Sequence, residues 1–449
     1  MKSEEFEQIA QNEFYLDCTK MSLSPCALGT NKKVYNGPGS IIQSQNGKIS
    51  LKMYCCDKIS PVEVFSRLNV QPGKIIDDSE YYDLEAIDVD GRTWKANRIL
   101  PSVCANKEFT GYLVEGDFYK MISFSELPFS AKNSVTIKYR GDIRIPCNTN
   151  TRTETYIDEK KRAWSGNLNI SKFEAWNLEF EIQKEKEWLI VNAVSKSNPI
   201  DYLTITRIDE ALQFVLARSL KWSVIELFNE KSLITRISAA QPNETKTRIQ
   251  PPFYFQTFDK TESVWKLFDK YLAYTILYRE DQWHPIFSLI HSVIESGEAS
   301  LEAEALTLSV SVEALLKLAF QNIALPDDTF KDEVKRVEQI VSESTISVSL
   351  KSRICGVLST MMSPRAKDQL YCLKNKGLIE ERLIEAWDKL RNKTAHGHII
   401  ELIELEEYVK LCDHVMTLFY QLIFLALNYQ GDYTDYSSDG YPAKIFNVP

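Results

Sequence analysis

The chain has 449 residues, a formal net charge of −9 and 44% hydrophobic residues. This length allows two or three domains with full cores, and the negative charge excludes a protein that coats nucleic acid through broad electrostatic affinity. The nine cysteines include no CxxC pair and no framework spacing. We therefore expect reduced thiols and a cytoplasmic protein.

The sequence contains no recognisable targeting or membrane segment. Residues 1–5 are mainly polar and acidic and precede no apolar stretch, so we expect no signal peptide. The most apolar run, residues 415–427, is shorter than the roughly 20 residues that a helix needs to span a bilayer. We expect a buried helix or a subunit interface there, and no membrane contact.

Residues 1–200 are predicted to form a β-rich domain. Asn46-Gly47 and Asp90-Gly91 are hairpin turn signals between β-prone runs. The apolar pattern predicts strands at residues 48–54, 92–99, 133–140, 176–182 and 188–194. This half contains no histidine and no glycine-rich phosphate loop, so it offers no catalytic constellation.

From about residue 207 the hydrophobic period becomes helical. A helical connector is predicted over residues 201–283, with a linker rich in Pro, Asn and Thr at 238–252. An all-α domain follows over residues 284–430, and residues 431–449 lack periodicity and are predicted to be an irregular tail. The predicted helices cover residues 208–228, 262–278, 285–322, 328–344, 349–362, 365–375, 380–396 and 404–428. The fold class is therefore α+β and multidomain.

The candidate functional residues lie at the end of the predicted helix 380–396. Arg391, Asn392 and His396 combine a permanent cation, an amide and an imidazole within about two turns. Asn392 and His396 are four residues apart and share a helix face, and the long Arg391 fork can reach a phosphate that they hold. Gly397 is suited to follow the last turn, where the helix dipole favours a protonated imidazole. Such a set can bind a phosphodiester and move a proton beside it.

A second pair with similar spacing is interpreted as structural. Arg279 and His284 are separated in the same way, but Glu280 and Asp281 would repel a phosphate there. Pro285 directly follows the histidine, as is typical of the start of a helix. We therefore expect His284 to mark a helix boundary.

The histidine pair that flanks Gly397 could suggest a metal site. His396 and His398 are the two imidazoles, but no Cys or His cluster completes a ligand set. We therefore expect no metal and no cofactor. His398 also lies at a longer spacing from Arg391 and could assist or substitute for His396.

Residues 387–397 resemble the signature of HEPN domains, which are helical modules whose motif is Arg, a polar residue that is often Asn, a few variable residues and His. Residues 306–319, which include Glu313, are similar to the first long core helix of the ApeA-like branch of this superfamily. That branch also has a β-rich N-terminal region. The signature covers about a dozen residues, and the helical pattern extends the resemblance to residues 285–428.

The resemblance implies a metal-independent endoribonuclease of bacterial anti-phage or toxin systems, which cause abortive infection by cutting cellular RNA, often tRNA. His396 would act on the RNA 2′-hydroxyl, and Arg391 would hold the phosphate as negative charge builds. Asn392 would orient the phosphate or the imidazole. Glu313 would orient Arg391 or simply face solvent. Such domains pair, so one motif per chain predicts a homodimer.

The charge distribution around the motif suits an RNA partner. Residues 351–398 contain ten Lys or Arg and five acidic residues, whereas the remainder of the chain carries −14. A basic cleft in an acidic body favours contact with a few phosphates. Lys389 and Lys393 are the candidate RNA contacts, and a solvated helix face is the alternative for each lysine.

Two interpretations of the whole chain remain open at this point. In the first, residues 1–200 are a sensor or regulator with a phage-derived trigger as partner, and the helical domain is the ribonuclease. In the second, the protein is a noncatalytic HEPN-type module that binds RNA or protein through the same residues. The state of the RNA after incubation distinguishes the two interpretations, because only a nuclease leaves 2′,3′-cyclic phosphate ends.

Overall fold

A computed structural model describes residues 1–27, 32–60, 64, 73, 75–105, 111–157, 160–239, 242, 249–254, 261–395 and 402–447. The chain divides into two compact units. Unit 1 contains Met1–Ile205 and Leu220–Thr245, and unit 2 contains Thr206–Ser219 and Lys246–Pro449. Unit 1 is built mainly of strands and unit 2 mainly of helices, which confirms the α+β fold class.

Unit 1 contains one antiparallel sheet, into which the described residues contribute fifteen strands. A short helix, α1 (Ser3–Gln11), precedes the first of them. The strands are β1 (Tyr15–Pro25), β2 (Tyr35–Gln43), β3 (Ile49–Cys55), β4 (Tyr82–Asp88), β5 (Thr93–Ile99), β6 (Ser102–Ala105), β7 (Tyr112–Phe118), β8 (Lys120–Glu126), β9 (Ser134–Arg140), β10 (Thr149–Ile157), β11 (Lys160–Ala175), β12 (Leu178–Glu185), β13 (Trp188–Ser195), β14 (Trp222–Asn229) and β15 (Ser232–Ser238). Their order in the sheet is β10-β11-β12-β13-β9-β14-β15-β8-β5-β4-β1-β2-β3-β7-β6.

The two predicted hairpin turns are confirmed. Gly47 (φ 79°) lies between the antiparallel strands β2 and β3, and Gly91 (φ 82°) lies between β4 and β5. Both backbones are in the left-handed region, which glycine adopts without a steric penalty. The alternation of β3 places Leu51 and Met53 in the core of the unit, where Trp94 of β5 is also buried.

Two of the predicted elements have wrong boundaries. The predicted strand 176–182 starts two residues too early, because Trp176 (φ 45°) lies in the turn between β11 and β12. The predicted helix 208–228 combines two elements: α2 (Tyr202–Leu216) ends before Ala217 (φ 49°), and β14 follows. Residues 223–227 of β14 are all buried, so the strand is covered on both faces and its sequence has no alternation that distinguishes it from a buried helix.

The predicted domain boundary at residue 200 also differs from the structure. Strands β14 and β15 lie between β9 and β8 in the sheet, although they follow residue 200 in the chain. The predicted connector 201–283 is therefore divided between the units rather than wholly helical. Periodicity reports local structure only, so it does not reveal which distant strands a segment joins.

Unit 2 is a helical bundle with a small C-terminal hairpin. Besides most of α2, its helices are α3 (Thr261–Thr275), α4 (Pro285–Ala299), α5 (Leu301–Ala319), α6 (Asp328–Glu343), α7 (Val348–Met361), α8 (Ala366–Asn375), α9 (Glu381–Ala395) and α10 (Leu405–Ala426). The predicted helix 285–322 is two helices, because Ser300 leaves the helical conformation and its side chain accepts a hydrogen bond from the Ala303 amide at 3.2 Å. Helices α5, α9 and α10 pack against one another and form the centre of the bundle.

Among the described residues, α10 is the one helix that is long and apolar enough to cross a membrane. An 18-residue window of this helix has a mean hydropathy of 1.3, and 72% of that window is buried inside the protein. A core helix of a bundle has the same properties. The burial agrees with the prediction of a buried helix around residues 415–427.

The prediction of an irregular tail at residues 431–449 is wrong. Strands β16 (Gly431–Thr434) and β17 (Ala443–Phe446) form an antiparallel hairpin. Asp435 organises the turn: its side chain is 1% exposed, accepts hydrogen bonds from Ser437 and Ser438, and forms an ion pair with Lys444 at 2.5 Å. Arg382 of α9 contacts the same carboxylate at 3.3 Å. Short strands around a polar turn carry too little pattern to be read from sequence.

Candidate functional site

Helix α9 carries the candidate catalytic residues, and one face of it is buried. Leu383, Trp387 and Leu390 are at most 2% exposed, which confirms the apolar stripe that the helical spacing predicts. Burial of this stripe against α5 and α10 fixes the rotation of α9 about its own axis. The polar residues on its other faces therefore have defined directions.

Two successive turns of α9 are joined to two successive turns of α5. The Trp387 indole Nε1 donates to the Ser309 carbonyl oxygen at 3.1 Å. Four residues later in both helices, Arg391 Nε donates to Glu313 Oε1, and this contact is also an ion pair. The i to i+4 step is one helical turn in each case, so the tryptophan anchors the turn from which Arg391 projects.

Arg391 is held on two sides and remains accessible. Its side chain is 46% exposed and that of Glu313 is 24% exposed, and the guanidinium carbon lies 6.0 Å from the centre of the Trp387 ring. The Glu313 carboxylate accepts its hydrogen bond from the Nε of Arg391. Among the described residues, none forms a hydrogen bond with the two terminal nitrogens of the guanidinium. These terminal nitrogens are the donors with which an arginine binds a phosphate in a bidentate manner.

The remaining predicted site residues are placed in part. Asn392 and Lys389 are exposed on α9, and Lys393 Nζ lies 3.9 Å from a Glu404 carboxylate oxygen. His396 and His398 lie outside the described residues, so their positions relative to Arg391 and Asn392 stay predictions. Helix α9 is described up to Ala395.

The excess of positive charge in residues 351–398 is largely paired with carboxylates. Within the described part of the chain, six of its ten cations lie within 4.0 Å of an acidic group: Arg365, Lys367, Lys374, Arg382, Arg391 and Lys393. Most of these pairs are exposed, where screening by water leaves them weak. A phosphate could therefore compete for several of them at little energetic cost.

The second pair with an arginine and a histidine is structural, as the sequence predicts. His284 is the N-cap of α4, and its Nδ1 accepts a hydrogen bond from the Ile286 amide at 3.2 Å. Burial and the nearby Arg207 guanidinium lower the pKa of His284 to about 4. The ring is therefore neutral at neutral pH and available as an acceptor, which is what the cap requires.

Beneath His284 lies a buried charge pair that the sequence did not suggest. The Arg207 and Glu210 side chains are at most 1% exposed and bond to each other directly. Arg207 also donates to the carbonyl oxygens of Tyr278, Glu280 and Gln282 at 2.7–3.3 Å. These bonds fix the segment between α3 and α4, so the pair organises the backbone.

Within the described residues, no three His, Cys, Asp or Glu side chains converge in a group that could hold a metal ion. Comparisons of the chain with protein families, with curated proteins and with solved structures gave no match.

Proposed function

We propose that this protein is a metal-independent endoribonuclease of the HEPN type. The observation that carries the proposal is the placement of Arg391: an accessible guanidinium that Glu313 fixes on a helix with one buried face, followed in the sequence by Asn392 and, four residues later, by His396. A cation held in place before substrate arrives lowers the cost of stabilising charge in the transition state.

In the proposed reaction, His396 takes the proton of an RNA 2′-hydroxyl, and the oxygen attacks the adjacent phosphorus. The bond to the 5′-oxygen breaks, and that oxygen acquires a proton and leaves as a 5′-hydroxyl. The other product is a 2′,3′-cyclic phosphate. Arg391 binds the nonbridging oxygens as negative charge accumulates, and Asn392 orients the phosphate or the imidazole.

The proposal extends to the biological context. The protein would act in the cytoplasm as a homodimer with one motif from each chain, and the substrate class would be cellular RNA, with tRNA as the first candidate. Abortive infection of a phage-infected bacterium is the proposed outcome, with unit 1 as the sensor of a phage-derived trigger. The two-unit layout and the resemblance of residues 387–397 to the HEPN signature support this context.

The test compares purified wild-type protein with Arg391→Ala and His396→Ala variants on total bacterial tRNA in EDTA. We expect cuts by the wild type only, with 2′,3′-cyclic phosphate ends. Arg336→Ala is the matched control, because it removes an exposed arginine from α6, outside the motif, and should leave cleavage unchanged. Cleavage by His396→Ala at the wild-type rate would refute the proposal.

A different result would favour the noncatalytic alternative. An RNA that binds and migrates as an intact complex, with the same affinity for wild type and His396→Ala, identifies a binding module. The trigger is tested separately, by adding lysate from infected or uninfected cells to the same assay. Equal cleavage in both lysates refutes control by a phage-derived molecule and leaves the nuclease assignment untouched.

A further inference from the structure

Unit 1 contains a pocket that the nuclease proposal does not use. It has a volume of about 570 Å³, within the size range of pockets for small molecules and cofactors. Strands β5, β8, β14 and β15 and the segments beside them line it. Among its described lining residues are Lys95, Arg98, Tyr119, Lys120, Trp222 and Arg236.

The pocket combines positive charge with aromatic rings. Four of its described lining residues are Lys or Arg, three are Tyr or Trp, and none is acidic. The sheet register explains the grouping, because Lys95 pairs with Ile122 and Ile122 pairs with Arg236 across adjacent strands. Residues in register on neighbouring strands point to the same face of a sheet, so the two cations share one face.

Two of the cations are held by rings. Lys120 Nζ lies 5.2 Å from the centre of the Trp222 ring, and the Arg236 guanidinium lies 3.9 Å from the centre of the Tyr202 ring. No carboxylate among the described residues forms an ion pair with either side chain. Their charge is therefore not neutralised by an acidic neighbour, and a ring contact orients a cation while leaving its N–H groups able to donate.

The backbone at the rim of the pocket is unusual. The pairing of β4 with β5 shifts by one residue between Tyr82 and Leu84, which is a β-bulge. Arg98, at this bulge, has φ 59°, a left-handed conformation that side chains other than glycine rarely adopt. Arg98 lies over the Tyr81 ring at 4.6 Å and pairs with Asp78 at 3.0 Å. Such distortion redirects a side chain, and it concentrates at functional sites.

We propose that this pocket binds a nucleotide, with its phosphates on Lys95, Lys120 and Arg236 and its base on an aromatic ring. Tyr119 is the ring best placed to close over a base, because its side chain is 83% exposed. Cations combined with stacking rings are the usual chemistry of nucleotide and single-strand recognition. The ligand is either a free nucleotide or a nucleotide of an RNA strand. This inference does not depend on the nuclease activity.

The test measures binding of two probes to the full-length protein by calorimetry. The probes are ATP and a 2′-O-methyl RNA hexamer, which lacks the 2′-hydroxyl nucleophile and stays intact. The first variant is Lys95→Glu/Lys120→Glu, which reverses two exposed charges. Lys52→Glu is its matched control, because Lys52 pairs across strands with Glu115 at 3.4 Å much as Lys95 pairs with Glu85 at 3.7 Å.

The second variant tests stacking. Tyr119→Ala removes an exposed ring from the pocket, and Phe129→Ala removes a ring that is 63% exposed elsewhere in unit 1. We expect the double charge reversal to weaken binding at least about tenfold, since two charge-assisted contacts are lost, and Tyr119→Ala to weaken it by a smaller factor. Both control variants should bind like the wild type.

The outcomes distinguish the two sources of the ligand. Tighter binding of ATP identifies a free nucleotide, and tighter binding of the hexamer identifies an RNA strand. The proposal is overturned when neither probe binds at about 1 mM. It is also overturned when the double charge reversal leaves the affinity for both probes unchanged.

Discussion

Glu313→Gln separates the orientation of Arg391 from the stability of the bundle. The substitution keeps the size of the side chain and an oxygen that accepts a hydrogen bond from Arg391 Nε, but it removes the charge. The pair is 46% and 24% exposed, so water screens it, and its loss should lower the free energy of unfolding by less than about 1 kcal/mol. The Trp387 bond to Ser309, one turn away, is unaffected and keeps α9 in place.

The effect on catalysis should be larger than the effect on stability. A guanidinium that is held only by a neutral amide is fixed less firmly and must be ordered in part by the substrate, and misplacement by about 1 Å can reduce a rate by about a hundredfold. We expect kcat for RNA cleavage to fall about tenfold to a hundredfold. KM should stay constant or fall, because the substitution removes a negative charge that lies beside Arg391 and repels the phosphate.

The assay pairs RNA cleavage kinetics with urea unfolding of the same preparations. Glu302→Gln is the matched control, since Glu302 is an exposed glutamate on the same helix, α5. Its kcat, KM and unfolding midpoint should equal those of the wild type. Cleavage by Glu313→Gln at the wild-type rate would refute the positioning role. A loss of several kcal/mol of stability would show instead that the pair is structural.

Three further substitutions test other parts of unit 2 by urea unfolding. Arg207→Leu should destabilise the protein by about 3–5 kcal/mol, because it leaves the Glu210 carboxylate buried without its partner; a loss below about 1 kcal/mol would contradict this. Burial and Asp413 raise the pKa of Glu304 to about 7 from 4.5. The folded state then holds a proton that the unfolded chain releases, so stability falls as the pH rises from about 4.5 through 7. Glu304→Gln should remove up to about 3 kcal/mol of that fall. If the free energy of unfolding had the same pH profile in the variant and the wild type, the raised pKa would not belong to Glu304. Asp435→Ala should cost about 2–4 kcal/mol, because its buried hydrogen bonds and ion pair are lost; unchanged stability would show that the hairpin turn does not depend on it.

The sequence predicted α9 well because its pattern is local. Leu383, Trp387 and Leu390 repeat at helical spacing, and the structure buries all three. The partner of Trp387 was not predictable, because the Ser309 carbonyl belongs to a backbone 78 residues away. Glu313 was a candidate partner for Arg391, but whether it faced solvent or α9 depended on how α5 packs. Packing between distant helices is not encoded in the period of either one.

The misread segments share a physical cause. Strand β14 is buried on both faces, so Val224 and Ile225 in the middle of it gave no alternation to count. The C-terminal hairpin depends on Asp435, which contacts Lys444 within the hairpin and Arg382 of α9, 53 residues earlier in the chain. In both cases tertiary contacts fix the local structure, and a sequence window does not contain them.

The path of the chain decides how the proposed control by unit 1 can be tested. The chain enters unit 2 at Thr206, returns to unit 1 at Leu220 and leaves it after Thr245. Deletion of residues 1–200 would remove β8 and β9, the neighbours of β15 and β14, and would expose unpaired strand edges. Any change in activity of that fragment would reflect misfolding as much as lost regulation.

Substitutions on the exposed face of the intact sheet avoid this difficulty. Lys95→Glu/Lys120→Glu preserves the strands and, on our inference, empties the nucleotide pocket. We expect ATP to change the rate of RNA cleavage by the wild type and by the Lys52→Glu control, and to have no effect on the double variant. The coupling between two binding equilibria is reciprocal. The factor by which ATP changes the affinity for RNA must therefore equal the factor by which RNA changes the affinity for ATP. An identical response of all three proteins to ATP would show that the pocket does not control the nuclease, whichever ligand it binds.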